Sequence, residues 1–560
     1  MNFVTKEPIN KGWSSDKKYC VTDENGTRYL LRVSDIAQHD TKQSEFNMMK
    51  QVASFGVPMC QPIEFGTCED GVYSIQSWID GEDAEQVMSG YSDTEQYVYG
   101  LEAGRILRKI HSIPAPATQE DWEIRFNRKM DYKIKKYGKC PIKYENGQAF
   151  IDYINENRHL LKDRPQVYQH GDYHIGNMMI DRDGQLHVID FNRNDYGDPW
   201  EEFNRIVWCA QKAPLFASGM VNGYFDDNVP MEFWRLLALY ISSNTLSSVY
   251  WAIPFGQDEV NTMLNQAKEV LSWYDNMRNP VPTWYFKGYY LQYIDGIPFK
   301  LKSAFDFSFM KEYGTVFKVY DDQDSGNICF GTEKDGQRYF VKFAGAPTEQ
   351  FGGDPADAIS RLKATLPIYS DLKHENLIEL IEAKEIGDGF AMVFKWADSD
   401  CMGRMYPAAH RRFMQLPIND RLAVFSDILS FLECVASRKY VAIDFYDGSI
   451  MYDFANGKTT ICDIDLFHKQ PCVNDMGRMW GSSRFQSPEE YQLGADIDEI
   501  TNVYTLGATA FALFGEYNRT REKWQLSDKL FEIATRAVSD DRTKRQQSIR
   551  QFTAEWEAAQ

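Results

Sequence analysis

Between Tyr168 and Phe203 the chain reads YQHGDYHIGNMMIDRDGQLHVIDFNRNDYGDPWEEF, and its middle, MMIDRDGQLHVI, constrains the fold more than any other stretch. Two apolar runs flank an Asp-Gly turn, a pattern that specifies a β-hairpin. A hairpin returns its ends to one edge of a sheet, so Asn177 before it and Asp190 after it arrive near each other. Asp172 stands five residues before Asn177 and eighteen before Asp190, directly after His170 and Gly171. These residue types in this order suit phosphoryl transfer. That chemistry needs a carboxylate at the acceptor hydroxyl and oxygen ligands for a Mg²⁺ ion bridging nucleotide phosphates. Asp172 fits the first task. Asn177 and Asp190 fit the second, because Mg²⁺ prefers hard oxygen donors.

This ordered set is similar to the catalytic and metal-binding loops of the aminoglycoside phosphotransferase family, kinases of small molecules with the protein-kinase fold. GDPWEEF is similar to the family's GDP-containing segment. The resemblance extends over about residues 1–285. It implies an α+β fold, with a small mostly-β lobe and a larger helical lobe, a Mg²⁺ cofactor, and ATP or GTP as donor. INKGWSSDKKYCVTDENGTRYLLRVS (9–34) reads as two strands around an Asn-Gly turn and a further strand segment. Gly12 and Ser14 would form a short loop over the phosphates, small residues admitting backbone N–H groups. Arg32 occupies the place where such folds hold a phosphate-binding Lys, with Glu45 as its expected partner. VYSIQSWIDGED (72–83) is a strand running into a turn, and implies the hinge between lobes. Residues 97–113 carry apolar positions at helical spacing and end in Ile110-His111, with His111 read as packing.

Residues 115–165 are polar and irregular in pattern and offer no chemistry. The aromatic-rich region after GDPWEEF, to about 275, would wall the acceptor site. Asp195, Glu201, Asp226, Asp227 and Asp258 are its candidate contacts to a cationic acceptor, although carboxylates on helix surfaces are usually only solvated.

MRNPVPTW (277–284) breaks the helical pattern, which predicts a connector over 286–299 and a second domain over 300–560. The order of parts then repeats. Lys342 in YFVKF stands where Arg32 stood, LKHENLIELIEA (372–383) follows, and YVAIDFYDGSIMYDFANGKTTICDIDLF (440–467) supplies Asp444 and, nineteen residues on, Asp463. Asp465 is kept as the alternative to Asp463. GSSRFQSPEEY (481–491) and NVYTLGATAFALF (502–514) are similar to Ser/Thr protein-kinase segments. That resemblance implies an ion pair between Glu489 and Arg545. Three departures stand out: Ala442-Ile443 precedes Asp444, Ser449 replaces the Asn, and Glu349 and Asp357 are the nearest acids to pair with Lys342. Active protein kinase and pseudokinase both stay open, as does regulation by a ligand-sensing first domain.

The formal net charge of −20 argues against nucleic-acid or anionic-membrane partners, which need a basic surface. It is compatible with a cationic small molecule such as an aminoglycoside, while also serving solubility. Ten cysteines without CxxC pairs suggest free thiols in a reducing compartment. With no apolar run of membrane-spanning length and no signal-peptide core at the start, a cytoplasmic location is expected. The expected activity is Mg-nucleotide-dependent transfer to a hydroxyl of a small molecule. The alternative is a Ser/Thr protein kinase acting on a protein from the second domain.

Overall fold

The computed structural model describes residues 2–10 and 16–560. Gly12 and Ser14, expected over the phosphates, lie outside the described residues. The chain divides into two compact units, Met1–Tyr289 and Tyr290–Gln560.

The first unit opens with a five-stranded antiparallel sheet. Its strands are β1 (Phe3–Pro8), β2 (Lys17–Asp23), β3 (Arg28–Ser34), β4 (Pro62–Cys68) and β5 (Gly71–Ser77), in the order β1-β2-β3-β5-β4. Between β3 and β4 runs helix α1 (His39–Ser54), which buries Phe46, Met49 and Val52. Alternation puts Leu31 and Val33 of β3 into the core with Val21 and Ile75, while Arg32 points the other way. Helices follow. Asp93–Ile110 begins at a capping box formed by Ser92 and Glu95. It crosses Pro214–Phe225 so closely that a Cβ on Gly100 would stand 2.2 Å from the Phe216 carbonyl oxygen. Met231–Ala252 is buried through Leu236, Leu237, Leu239 and Ile241 and forms the centre of the helical core.

Residues 115–165 are more ordered than their polarity suggests. Trp122–Lys139 is a helix with an Asp121 side-chain cap on the Ile124 amide. Trp122, Phe126, Met130 and Tyr137 form its buried stripe, at spacings of four, four and seven, and nine of its other positions are charged.

The second unit repeats the architecture of the first sheet. Thr315–Tyr320, Asn327–Lys334, Gln337–Ala344, Gly389–Lys395 and Leu380–Ile386 are hydrogen-bonded in that spatial order, with helix Pro355–Asp371 between the third and fourth strands of the sequence. Most of the expected connector 286–299 is instead part of a hairpin, Tyr290–Ile294 paired with Ile297–Leu301. The reason is local: Asp295 and Gly296 turn at φ 48° and 84°. Phe299 and Leu301 are then buried with Phe307, Phe330 and Phe343. Glu499–Phe514 is the buried helix of the remaining core.

Candidate active site

In the first unit the predicted hairpin forms between Met178–Asp181 and Leu186–Val188. At its base the Ile189 N–H donates to the Asn177 carbonyl at 3.0 Å. His170, fully buried, is within 2.9 Å of the Ile189 carbonyl through Nε2 and packs edge-on against Phe191 at 4.6 Å between ring centroids. The Asn177 side-chain nitrogen donates to the Asp172 carbonyl at 2.8 Å. That bond fixes the amide's orientation and leaves its oxygen as the end available to an ion. Asp190 adopts a left-handed conformation, φ 67°, and its Oδ1 accepts from Arg32 at 2.9 Å. Burial would raise the Asp190 pKa, but Arg32 and Lys18 outweigh it and the net shift is downward, so the group is ionised at neutral pH.

Gly171 links the two loops. Its φ is +84°, and a Cβ there would meet the Arg193 carbonyl oxygen at 1.8 Å. Its N–H donates to the Glu202 carboxylate at 2.9 Å and 3.2 Å. Glu202 is 2% exposed. It lies 3.8 Å from Nε2 of buried His111, whose Nδ1 pairs with the Tyr224 hydroxyl at 3.0 Å. His111 therefore belongs to the support under the loop, consistent with a packing role. Asp198 is fully buried and held by Arg164 at 2.6 Å and 3.0 Å and by the Tyr240 hydroxyl at 2.6 Å.

Arg32 does not take Glu45 as its hydrogen-bonding partner. It donates to Asp16 at 3.1 Å as well as to Asp190, and Glu45 receives Lys42 at 3.1 Å instead. Lys42 also reaches Asp16 at 3.2 Å, so two cations share one carboxylate. Asp16 sits between Arg32 and α1 and intercepts the expected pair. Arg32, Asp16, Lys42, Glu45, Phe191 and Asn192 line one cavity. Neither Asp16, Lys42 nor Glu202 was legible from the sequence. The only signal for Lys42 was its place one turn before Glu45, on the same helix face.

The Asp172 carboxylate is bracketed by Arg205 Nε at 3.3 Å and an Arg193 guanidinium nitrogen at 3.4 Å. His174, 3.8 Å away, is kept neutral at pH 7: burial, assisted by Arg205, His170 and Arg193, lowers its pKa to about 4 against the pull of Asp172. Several acidic candidates for a cationic acceptor already have partners. Asp195 faces Arg125 at 3.4 Å, Glu201 faces Lys129 at 3.2 Å, and Asp226 is paired with Arg108.

In the second unit Lys342 contacts Asp463 at 3.4 Å and Asp465, which also receives the Tyr369 hydroxyl at 3.2 Å. Neither Glu349 nor Asp357 has an ion pair with Lys342; Asp463 and Asp465 take it. Asp463 is left-handed at φ 56°, as Asp190 is in the first unit. Burial and the nearby Asp463 push the Asp444 pKa up to about 6. Glu489 and Arg545 form a buried two-pronged pair at 2.6 Å and 2.9 Å. Among the described residues, no group of three or more His, Cys, Asp or Glu could hold a metal. Asn177 and Asp190 would supply the sparse protein ligation typical of Mg²⁺, which keeps waters and substrate phosphates in its remaining positions. No described helix is long and apolar enough to cross a membrane.

Residues 5–235 match the family model described as the phosphotransferase enzyme family. Among solved structures, a thermostable mutant of an aminoglycoside phosphotransferase in ternary complex with ADP and hygromycin B is 16% identical, with 48% of this chain and 94% of that chain covered, at a TM-score of 0.36. The GDP complex of an aminoglycoside 2'-phosphotransferase mutant is 14% identical, with 50% and 95% covered, at 0.38. A gentamicin complex of another such enzyme is 15% identical, with 48% and 92% covered, at 0.37. No curated protein matches the chain.

Proposed function

We propose that the first unit, a phosphotransferase-family domain by its match over residues 5–235, transfers the γ-phosphoryl group of ATP or GTP to a hydroxyl of a small molecule. The observation that carries this reading is the joining of the loops that bear Asp172, Asn177 and Asp190 through one hydrogen-bonded base. Asn177 is tied to Asp172, residue 189 to Asn177, and Asp190 follows. Asp172 orients the acceptor hydroxyl and takes its proton as the oxygen–phosphorus bond forms and the β–γ bridging bond breaks. Asn177 and Asp190 would hold Mg²⁺, which when bound neutralises charge across the phosphate oxygens. Arg32, braced between Asp16 and Asp190, offers its remaining donors to the phosphates. Positioning and fixed charge carry most of the acceleration in such chemistry. The test separates binding from transfer. Asp190→Asn weakens Mg-dependent nucleotide binding, while Asp172→Asn retains binding and loses transfer; equal loss of binding in both contradicts the division of roles.

A second reading is favoured by the repeated strand order and the buried Glu489–Arg545 pair. We infer a second protein-kinase-like domain over 290–560, making two tandem two-lobed units, with Lys342, Asp444 and Asp463 as its polar site. Labelled nucleotide incubated with the full chain and a generic protein acceptor tests for activity. Transfer lost in Asp444→Asn marks an active protein kinase, and no transfer marks a non-catalytic unit.

A further inference from the structure

The helix Trp122–Lys139 carries Arg125, Arg128, Lys129, Lys133, Lys135, Lys136 and Lys139 against only Glu123 and Asp131, in a chain whose net charge is −20. Arg125, Lys129 and Lys133 recur every fourth residue and therefore share one face. That face lies over the segment that follows Asp190. Arg125 donates to the Tyr196 carbonyl and faces Asp195, and Lys129 meets Glu201 at 3.2 Å. The Glu201 carboxylate would be raised by burial, but Lys129, Lys133 and Arg205 together hold it below the usual range. Arg205 is also the residue 3.3 Å from Asp172, which Arg193 flanks on its other oxygen at 3.4 Å. Four cations thus surround two carboxylates. Lys133, half-buried, makes no hydrogen bond and no ion pair at contact distance among the described residues, and feels Glu201 only through space. Burial, with Lys129 and Arg205 adjoining, lowers its pKa to about 7 against the opposing pull of Glu201.

Resting on the phosphotransferase reading above, we infer that the acceptor is an anion, a hydroxylated carboxylate or phosphate ester whose negative group sits between Lys133, Lys129 and Arg205 while its hydroxyl meets Asp172. A cationic acceptor would enter a site with surplus positive charge, where Glu201 and Asp195 are already matched by basic side chains. An anion completes the set and restores the proton on Lys133. The reaction balances with a nucleoside triphosphate as donor: the hydroxyl proton passes to Asp172 and then to solvent, and the nucleoside diphosphate leaves.

The experiment offers the full chain γ-labelled ATP, or GTP in parallel, with Mg²⁺ and three acceptor panels. These are hydroxy acids (glycerate, gluconate), sugar phosphates (ribose 5-phosphate, glucose 6-phosphate) and cations (kanamycin, choline). Label is expected on an acid or a phosphate ester, whichever panel answers naming the group, and not on the cations. Lys133→Ala is expected to raise the acceptor KM about tenfold with the nucleotide KM within twofold of wild type. Lys133→Arg restores the acceptor KM, and Lys135→Ala, on the opposite side of the helix, changes neither constant. In the wild type the acceptor KM should climb above about pH 7 as Lys133 loses its proton, and in Lys133→Arg it should stay flat. Label on kanamycin or choline, or on no anion, overturns the inference. If label on a cation disappears in Asp172→Asn, the phosphotransferase reading still stands; if no Mg-nucleotide binds at all, that reading falls as well.

Discussion

Replacing Gly171 by alanine tests whether the loop bearing Asp172 and the loop bearing Asp190 are one mechanical unit. At φ +84° an alanine costs about 1–2 kcal/mol in backbone strain alone. The new methyl group would stand 1.8 Å from the Arg193 carbonyl oxygen, well inside contact distance, so the two loops must separate. Separation stretches the Gly171 N–H bonds to Glu202, charge-assisted and worth about 1.5–3 kcal/mol, and leaves a carboxylate that is 2% exposed short of a donor. We expect a loss of about 3–5 kcal/mol in unfolding free energy of the first unit. Where the loop yields instead, the misplacement of Asp172 relative to Asp190 should lower kcat by about 100-fold. The assay is urea denaturation beside steady-state transfer with labelled nucleotide. A variant within about 1 kcal/mol and threefold in kcat of the wild type would refute the coupling of the loops.

Three further outcomes follow from the same geometry. Arg545→Met leaves the Glu489 carboxylate buried with Arg542 at 3.7 Å as its nearest cation, and should destabilise the second unit by about 3–5 kcal/mol, read by denaturation; adding Glu489→Gln should recover part of it, and a single-variant loss below about 1 kcal/mol would show that the pair is dispensable. Asp444 has a folded pKa raised to about 6 above its unfolded value, so the folded unit binds the extra proton and stability falls as pH rises from about 4 to 6; Asp444→Asn should therefore raise the unfolding temperature at pH 8, by the equivalent of about 1–3 kcal/mol, and not at pH 4, and an equal effect at both values contradicts the burial account. Arg32→Ala frees Asp16 and Asp190 of their shared cation and should raise the nucleotide KM more than tenfold while leaving the far-ultraviolet circular dichroism unchanged; a nucleotide KM within twofold of wild type removes Arg32 from the phosphate site.

Much of the site was legible because its signal is local. The Asp-Gly turn between two apolar runs fixes the hairpin, and the hairpin fixes where Asn177 and Asp190 meet. The Glu489–Arg545 pair was also anticipated, from the segments that carry it. What escaped depends on packing between distant elements. The sequence points Arg32 at Glu45, yet Asp16 takes it at 3.1 Å, and nothing in the order of residues places Asp16 under β3. Glu202 looked like one more acid in GDPWEEF until the left-handed turn at Gly171 aimed an amide at it. The helix Trp122–Lys139 hid behind its charge, since its four buried anchors are sparse among nine charged positions. Its charge also concealed the basic face formed by Arg125, Lys129 and Lys133. The hairpin at Tyr290 looks like a connector in sequence because a short Asp-Gly turn after a proline-rich break gives little warning that Phe299 and Leu301 join a core.

The most direct test of the central claim is the release of labelled phosphate to acceptor by the full chain carrying Asp172→Asn, compared with wild type and with Asp444→Asn, each at saturating Mg-nucleotide. The account predicts that Asp172→Asn binds nucleotide with near wild-type affinity and transfers at least 1,000-fold more slowly, on the order of 4 kcal/mol of transition-state stabilisation, while Asp444→Asn leaves small-molecule transfer intact. Wild-type turnover in Asp172→Asn, or its loss only in Asp444→Asn, would contradict the assignment of the chemistry to the first unit.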